Sequence, residues 1–159
     1  MSAVIGLSAN MIIKELYNGS VKTIQNIIKT EQHFAAPQLT TKSIEVKYGV
    51  LIGYNGNFKG DLVIQADPSV FREIGGLLYG MSLPDEMLDS FSGELGNMLA
   101  GGLSTHLANA GIETDITHPT IMNGVTQLSG FKRALEVMIQ YEDIGNMKMS
   151  ILLNDETGR

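Results

Sequence analysis

The chain has 159 residues, 43% of them hydrophobic and 18% charged, and a formal charge of −6. That length buries a real core in one domain, while the longest apolar runs, Leu62-Val63-Ile64 and Ile151-Leu152-Leu153, are far too short to span a bilayer. No basic stripe offsets the acidity, which argues against nonspecific nucleic-acid binding, and the lack of cysteine removes disulfides, thiolate nucleophiles and cysteine–zinc sites.

The N-terminus shows no basic region followed by an apolar one, so no signal peptide and a cytoplasmic location are expected. Met11 to Tyr17 is apolar-periodic, and Asn18-Gly19 reads as its stop. Val21 to Thr30 then forms a second helical stretch with Val21, Ile24, Ile27 and Ile28 on one side. His33 to Thr41, punctuated by Pro37, reads as a connecting loop.

Ile44, Val46, Tyr48, Val50, Ile52 and Tyr54 alternate with the period of a strand, and Asn55-Gly56 supplies hairpin turn chemistry. Phe58, Gly60, Leu62 and Ile64 form the return strand. Asp67-Pro68 starts a helix that turns Phe71, Ile74, Leu77 and Leu78 inward and stops at Gly80. Ser82-Leu83-Pro84-Asp85 is spaced like a capping box. From about residue 83 a helix runs to Ala110, about 40 Å long, with Gly111 ending it. Strands are expected over Thr120–Val125, Arg133–Tyr141 and Met147–Leu153, with a turn at Asp143-Ile144-Gly145-Asn146. The order gives an α+β domain, a mostly antiparallel sheet with helices packed on it and one long central helix at about 83–110. Residues 1–159 form a single domain, a helical segment and loop over 1–40 and a core over 42–155. The alternating strand Met147–Leu153 is a candidate sheet edge through which the domain self-associates.

Chemistry concentrates on the long helix. Leu88, Phe91, Leu95, Leu99 and Leu103 form one stripe, the face for the sheet. Ser90, Glu94, Asn97, Gly101 and Ser104 lie within about 80° of one another on the opposite face. Glu94 and Asn97 are three apart, so their side chains project side by side. Gly93, Gly96, Gly101 and Gly102 each cost a helix about 1 kcal/mol relative to alanine. Such a run implies close approach, either by another helix or by a partner's backbone at Gly101. His33, His106 and His118 match no metal spacing; His106 falls on the leucine stripe as a core histidine, and His118 beside Pro119 belongs to a loop or strand entry. No glycine-rich loop precedes a Lys-Ser or Lys-Thr pair, and no metal site is expected.

The segment Asp-Ser-Phe-Ser-Gly-Glu-Leu-Gly-Asn-Met-Leu-Ala-Gly-Gly at 89–102 resembles the CheC/CheX family of chemotaxis phosphatases. The family's signature is Asp or Ser, three residues, Glu, two residues, Asn; here these are Ser90, Glu94 and Asn97. Pro119 stands for a family proline farther along the chain. The likeness extends over the hairpin at 49–64, the helix at 69–80 and the closing strands at 120–153. A single motif points to the CheX-like branch. Residues 1–18 are a departure, longer than the family's leading helix.

The resemblance implies a phosphatase whose substrate is a phosphorylated CheY-like receiver of two-component signalling. Asn97 would orient the attacking water and Glu94 would pair with the receiver's lysine. Ser90, Gly101 and Ser104 would lie against the partner. Mg2+ would sit in the receiver's own active site, with no cofactor on this chain. A homodimer is implied as well, with no role for nucleic acid or membrane. The alternative is a non-catalytic, receiver-binding module like those of the flagellar switch, which shares the fold.

Overall fold

The computed structural model describes residues 9–155; the stretch 1–8 of the N-terminal extension lies outside the described residues. The chain runs through α1 (Ala9–Ile27), β1 (Gln32–Phe34), β2 (Gln38–Thr40), β3 (Ile44–Gly56), β4 (Lys59–Ala66) and α2 (Pro68–Tyr79). A 3-10 turn at Asp85–Met87 leads into α3 (Leu88–Asn109), followed by β5 (Thr114–Ile116), β6 (Thr120–Leu128), β7 (Arg133–Tyr141) and β8 (Gly145–Asp155). The strands make one eight-stranded sheet in the order β1-β7-β8-β4-β3-β5, with β2 also on β7 and β6 also on β3. Every pairing is antiparallel. The expected α+β architecture, antiparallel sheet and long helix are all present.

Alternation decides which side of the sheet each residue serves. The expected single face of Ile44 to Tyr54 is broken at the bulge between Val46 and Tyr48, which turns Ile44 and Val46 to the other side. Tyr48, Val50, Ile52 and Tyr54 of β3 share one buried cluster with Val137, Ile139 and Tyr141 of β7 and with Met147, Met149, Ile151 and Leu153 of β8. Leu16 and Ile24 of α1, Phe71 and Ile74 of α2 and Phe91, Leu95, Leu99 and Leu103 of α3 close that cluster from the helix side. The opposite face buries a smaller group, Val46, Val63, Ala134 and Leu152, against which Leu51, Leu128 and Phe131 pack.

Several local expectations give way to tertiary contacts. Asn18-Gly19 does not stop a helix; α1 runs straight through it. A Cβ at Gly19 would stand 2.6 Å from His106 Cδ2 and 2.8 Å from Leu103 Cδ1, so this glycine serves the contact between α1 and α3. The loop expected at 33–41 carries two three-residue strands, β1 and β2, held by β7. Leu77 faces out, 51% exposed, rather than inward. The capping box at 82–85 is absent: the 3-10 turn begins after Pro84 with no side-chain cap, and α3 starts at Leu88. β8 is no edge, since β4 and β7 flank it on both sides. The return strand starts at Lys59, and Phe58 instead plugs the core, its ring 5.7 Å from that of Tyr54. By contrast α2 begins and ends as its residues dictate. Asp67 accepts from Ser69 N at 2.9 Å, and Gly80 takes a left-handed φ of 72° with its N–H on Gly76 O.

Candidate active site on the long helix

Two tyrosines of β3 pin α3 to the sheet. The Tyr48 hydroxyl donates to Asp89 Oδ1 at 2.7 Å and lies 2.9 Å from Ser92 Oγ, which in turn donates to Leu88 O. Burial, with smaller contributions from its polar neighbours, raises the Tyr48 phenol to about 12. Six residues along the same strand face, Tyr54 donates to Ala100 O at 2.7 Å, and burial raises its phenol as well. The two bonds hold the helix at Asp89 and at Ala100, and Glu94 and Asn97 lie between those points. Leaving a buried phenol hydroxyl without a partner costs free energy, so each bond favours one position of the helix along the strand.

Gly96, one residue before Asn97, brings the helix down onto β3. A Cβ there would stand 2.8 Å from Val50 Cγ1 and 3.1 Å from Ile52 Cδ1. At Gly93 a Cβ would stand 3.6 Å from Pro119 Cγ, so Pro119 packs beside the residue preceding Glu94. At Gly102 it would collide with Thr23 of α1. Close packing therefore accounts for Gly96 and Gly102. Gly101 differs, because nothing lies within 4 Å of its Cβ position.

The face so presented carries Ser90, Glu94 and Asn97, all exposed, with Gly101 half-buried. The Asn97 amide has no hydrogen-bond partner among the described residues. Glu94 Oε1 accepts from the Tyr79 hydroxyl at 3.1 Å. Met87 and Met98, 47% and 40% exposed, add apolar surface beside Glu94 at helical spacings of seven and four residues. Ser104 points elsewhere: its hydroxyl lies 2.8 Å from Thr114 Oγ1 and 3.3 Å from Thr114 O, joining α3 to β5.

His106 is not a core histidine. It is partly exposed and pairs with Glu15 Oε1 of α1 at 2.9 Å. His118 is exposed in the β5–β6 connection. His33 lies with Glu31 and Glu142, donor atoms within 4.8 Å of one another, a grouping that histidine spacing could not reveal; all three are exposed. Tyr48, Tyr54 and Tyr79 are the residues that sequence reasoning missed as parts of the site. For the two on β3 a signal existed: a tyrosine on the inward register of a strand usually finds a partner for its hydroxyl, although the buried Tyr141 hydroxyl of β7 has none among the described residues. No helix among the described residues is long and apolar enough to cross a membrane.

The profile of the family described as chemotaxis phosphatase CheX matches residues 48–141, more than half of the chain. The chain is 30% identical over 118 residues to the CheY-P phosphatase CheX of Thermotoga maritima, spanning 71% of this chain and 76% of that one. Its fold is similar to that in the crystal structure of a CheX–CheY–BeF3–Mg2+ complex from Borrelia burgdorferi, with TM-score 0.74, 22% identity and coverage of 90% and 97%. A chemotaxis protein CheX from Desulfovibrio desulfuricans gives TM-score 0.74 at 14% identity, covering 89% and 98%. The chain belongs to the chemotaxis phosphatase CheX family.

Proposed function

We propose that the chain hydrolyses the aspartyl phosphate of a CheY-like receiver, with Asn97 orienting the attacking water and Glu94 anchoring the receiver. The observation that carries this is the pair itself: a carboxylate and a carboxamide exposed one turn apart on a helix pinned on either side of them. An acyl phosphate is intrinsically labile, so catalysis consists mainly of holding water in line with phosphorus. A carboxamide suits this, since Asn97 Oδ1 accepts from the water without adding a negative charge opposite the phosphoryl group. The water oxygen bonds to phosphorus, the phosphorus–aspartate bond breaks, and inorganic phosphate leaves a free carboxylate on the receiver. Glu94 pairs with a cationic side chain of the receiver, whose own Mg2+ neutralises phosphoryl oxygens. Met87 and Met98 supply apolar contact, and bare Gly101 lets the partner's backbone come close. Ser90 lies on the same surface. Ser104, turned to β5, contributes to it only through the fold.

The reading also places the chain in the cytoplasm and in a homodimer formed along the β6 edge. β6 pairs only with β3 among the described residues, and its nine residues carry no charge that would discourage pairing.

The test is phosphate release from a phosphorylated receiver, with affinity measured separately on a beryllofluoride-charged one. Asn97→Ala is expected to lower the maximal rate about 100-fold with affinity largely kept. Glu94→Ala is expected to weaken binding about tenfold, through loss of a charge-assisted pairing. Both variants fold normally, as both side chains are exposed. Variants as fast as the parent would leave the chain a receiver-binding module.

A further inference from the structure

Tyr79 ends α2, one residue before the left-handed Gly80, and no part of the reaction as described uses it. Its hydroxyl nevertheless reaches Glu94 Oε1 across a separation of fifteen residues, at 3.1 Å. Its ring stands edge-on to Phe91, with centroids 5.6 Å apart and planes at 74°. Phe91 is 3% exposed and belongs to the core, while Tyr79 is 46% exposed. One edge of the phenol is thus fixed by the interior, and the other side borders the helix face that carries Glu94. The base of this arrangement is also tight: a Cβ on Gly75 of α2 would stand 2.9 Å from Leu83 Cδ2 and 3.4 Å from the Phe91 ring.

A glutamate on an open helix face samples many rotamers, and freezing them on binding opposes association. A hydrogen bond from a ring that is itself held removes part of that freedom in advance. Desolvation first, then the hydrogen bond to Glu94 and its negative charge, hold the Tyr79 phenol above its ordinary value. It therefore remains a donor throughout the neutral range.

We propose that Tyr79 is a positioning residue: its hydroxyl holds Oε1 of Glu94 so that the other carboxylate oxygen is presented, already oriented, to the cationic side chain of the receiver. The assignment rests on the phosphatase reading of Glu94. It makes the end of α2 part of the recognition apparatus, although Tyr79 lies outside the Glu-x-x-Asn segment.

Tyr79→Phe removes the O–H and keeps the ring against Phe91, so it isolates the hydrogen bond. The expected result is an apparent KM for phosphorylated receiver raised about three- to tenfold. The kcat at saturating receiver and the Tm stay unchanged. In a Glu94→Ala background, Tyr79→Phe should have no further effect on affinity for the beryllofluoride-charged receiver, because its action runs through the carboxylate. An equal loss in both backgrounds would mean that the hydroxyl touches the receiver directly, and a gain in affinity would mean that it competes for Glu94; either overturns the proposal. A measurement on the free chain checks the same bond. In a ring-carbon NMR titration, Glu94→Ala should move the Tyr79 phenol down toward its ordinary value, and an unmoved titration overturns the proposal. An inactive parent would sink the phosphatase reading and this assignment with it. An active parent indifferent to Tyr79→Phe sinks only the assignment.

Discussion

Tyr48, Tyr54 and Tyr141 put three phenols inside the protein, each 3–4% exposed. Burial is the first cause of the upward displacement at all three, taking Tyr48 to about 12 and raising Tyr54 and Tyr141 as well. In the unfolded chain each titrates near its ordinary value of about 10. Above that value the unfolded chain releases protons that the folded one keeps, so stability falls with rising pH. The contribution is complete below pH of about 10 and disappears as pH climbs through the folded values. The melting temperature, followed by circular dichroism, should therefore stay level up to that point and fall steeply toward pH 12, and Tyr48→Phe should soften the fall. A level melting temperature over this interval would mean that the phenols are not buried as described. At this scale the sequence exposed Glu94 and Asn97, because three-residue spacing on a helix places side chains side by side whatever the rest of the chain does. It hid their supports, because Tyr48 meets Asp89 across 41 residues and Tyr54 meets Ala100 across 46. His106 was misplaced for the same reason: Glu15, its partner, is 91 residues away.

The glycines of α3 separate into two kinds once the helix is set among its neighbours. Gly96 packs on Val50 and Ile52, both branched and fully buried on β3, where a methyl group has no room. Overpacking of this kind costs about 1–3 kcal/mol, more than the gain of about 1 kcal/mol that alanine brings to a helix. Gly101 has open space at its Cβ position, so alanine there keeps the whole gain. Thermal melts should thus move in opposite directions: Gly96→Ala lowers Tm, and Gly101→Ala raises it by about 2–4 °C. A fall at Gly101 would mean that the position is packed after all. In composition the two glycines are indistinguishable, and only the third dimension separates them. The same holds for whole elements. β7 was legible end to end, and α2 nearly so, because a cap, a stop glycine or an apolar period lies within each of them. β1, β2 and β5 have three residues each, too few to show any period, and exist because β7 and β3 offer them partners. The helix stop foreseen at Asn18-Gly19 fails because the crossing of α1 over α3 needs a residue without a Cβ there.

The two margins of the sheet are unequal, and the proposed homodimer rests on that inequality. One margin is made of β1 and β2, three residues each, too short to template another strand. The other carries β6, nine residues long, bonded to β3 on one side and to no other strand among the described residues. Soluble proteins usually blunt such an edge with lysine, proline or an inward-pointing charge. Thr120–Leu128 has none of these, although the chain as a whole carries a formal charge of −6. The strand's one irregularity is a bulge at Gly124-Val125, opposite the step from Val46 to Tyr48. Val125, in the middle of the strand, is 70% exposed, more than any other large hydrophobic side chain among the described residues. In the proposed dimer a second copy, antiparallel across a two-fold axis, would satisfy free backbone groups of both strands. Light scattering at tens of micromolar should then return about twice the mass of one chain. Val125→Lys places two ammonium groups near the axis and should shift the mass toward the monomer. Because β6 stands at the rim, the variant should keep its melting temperature when dilute, and phosphate release per chain should be unchanged, since the proposed catalytic pair Glu94 and Asn97 lies on another element. A parent that is monomeric at those concentrations, or a Val125→Lys variant that stays a dimer, would remove β6 as the interface.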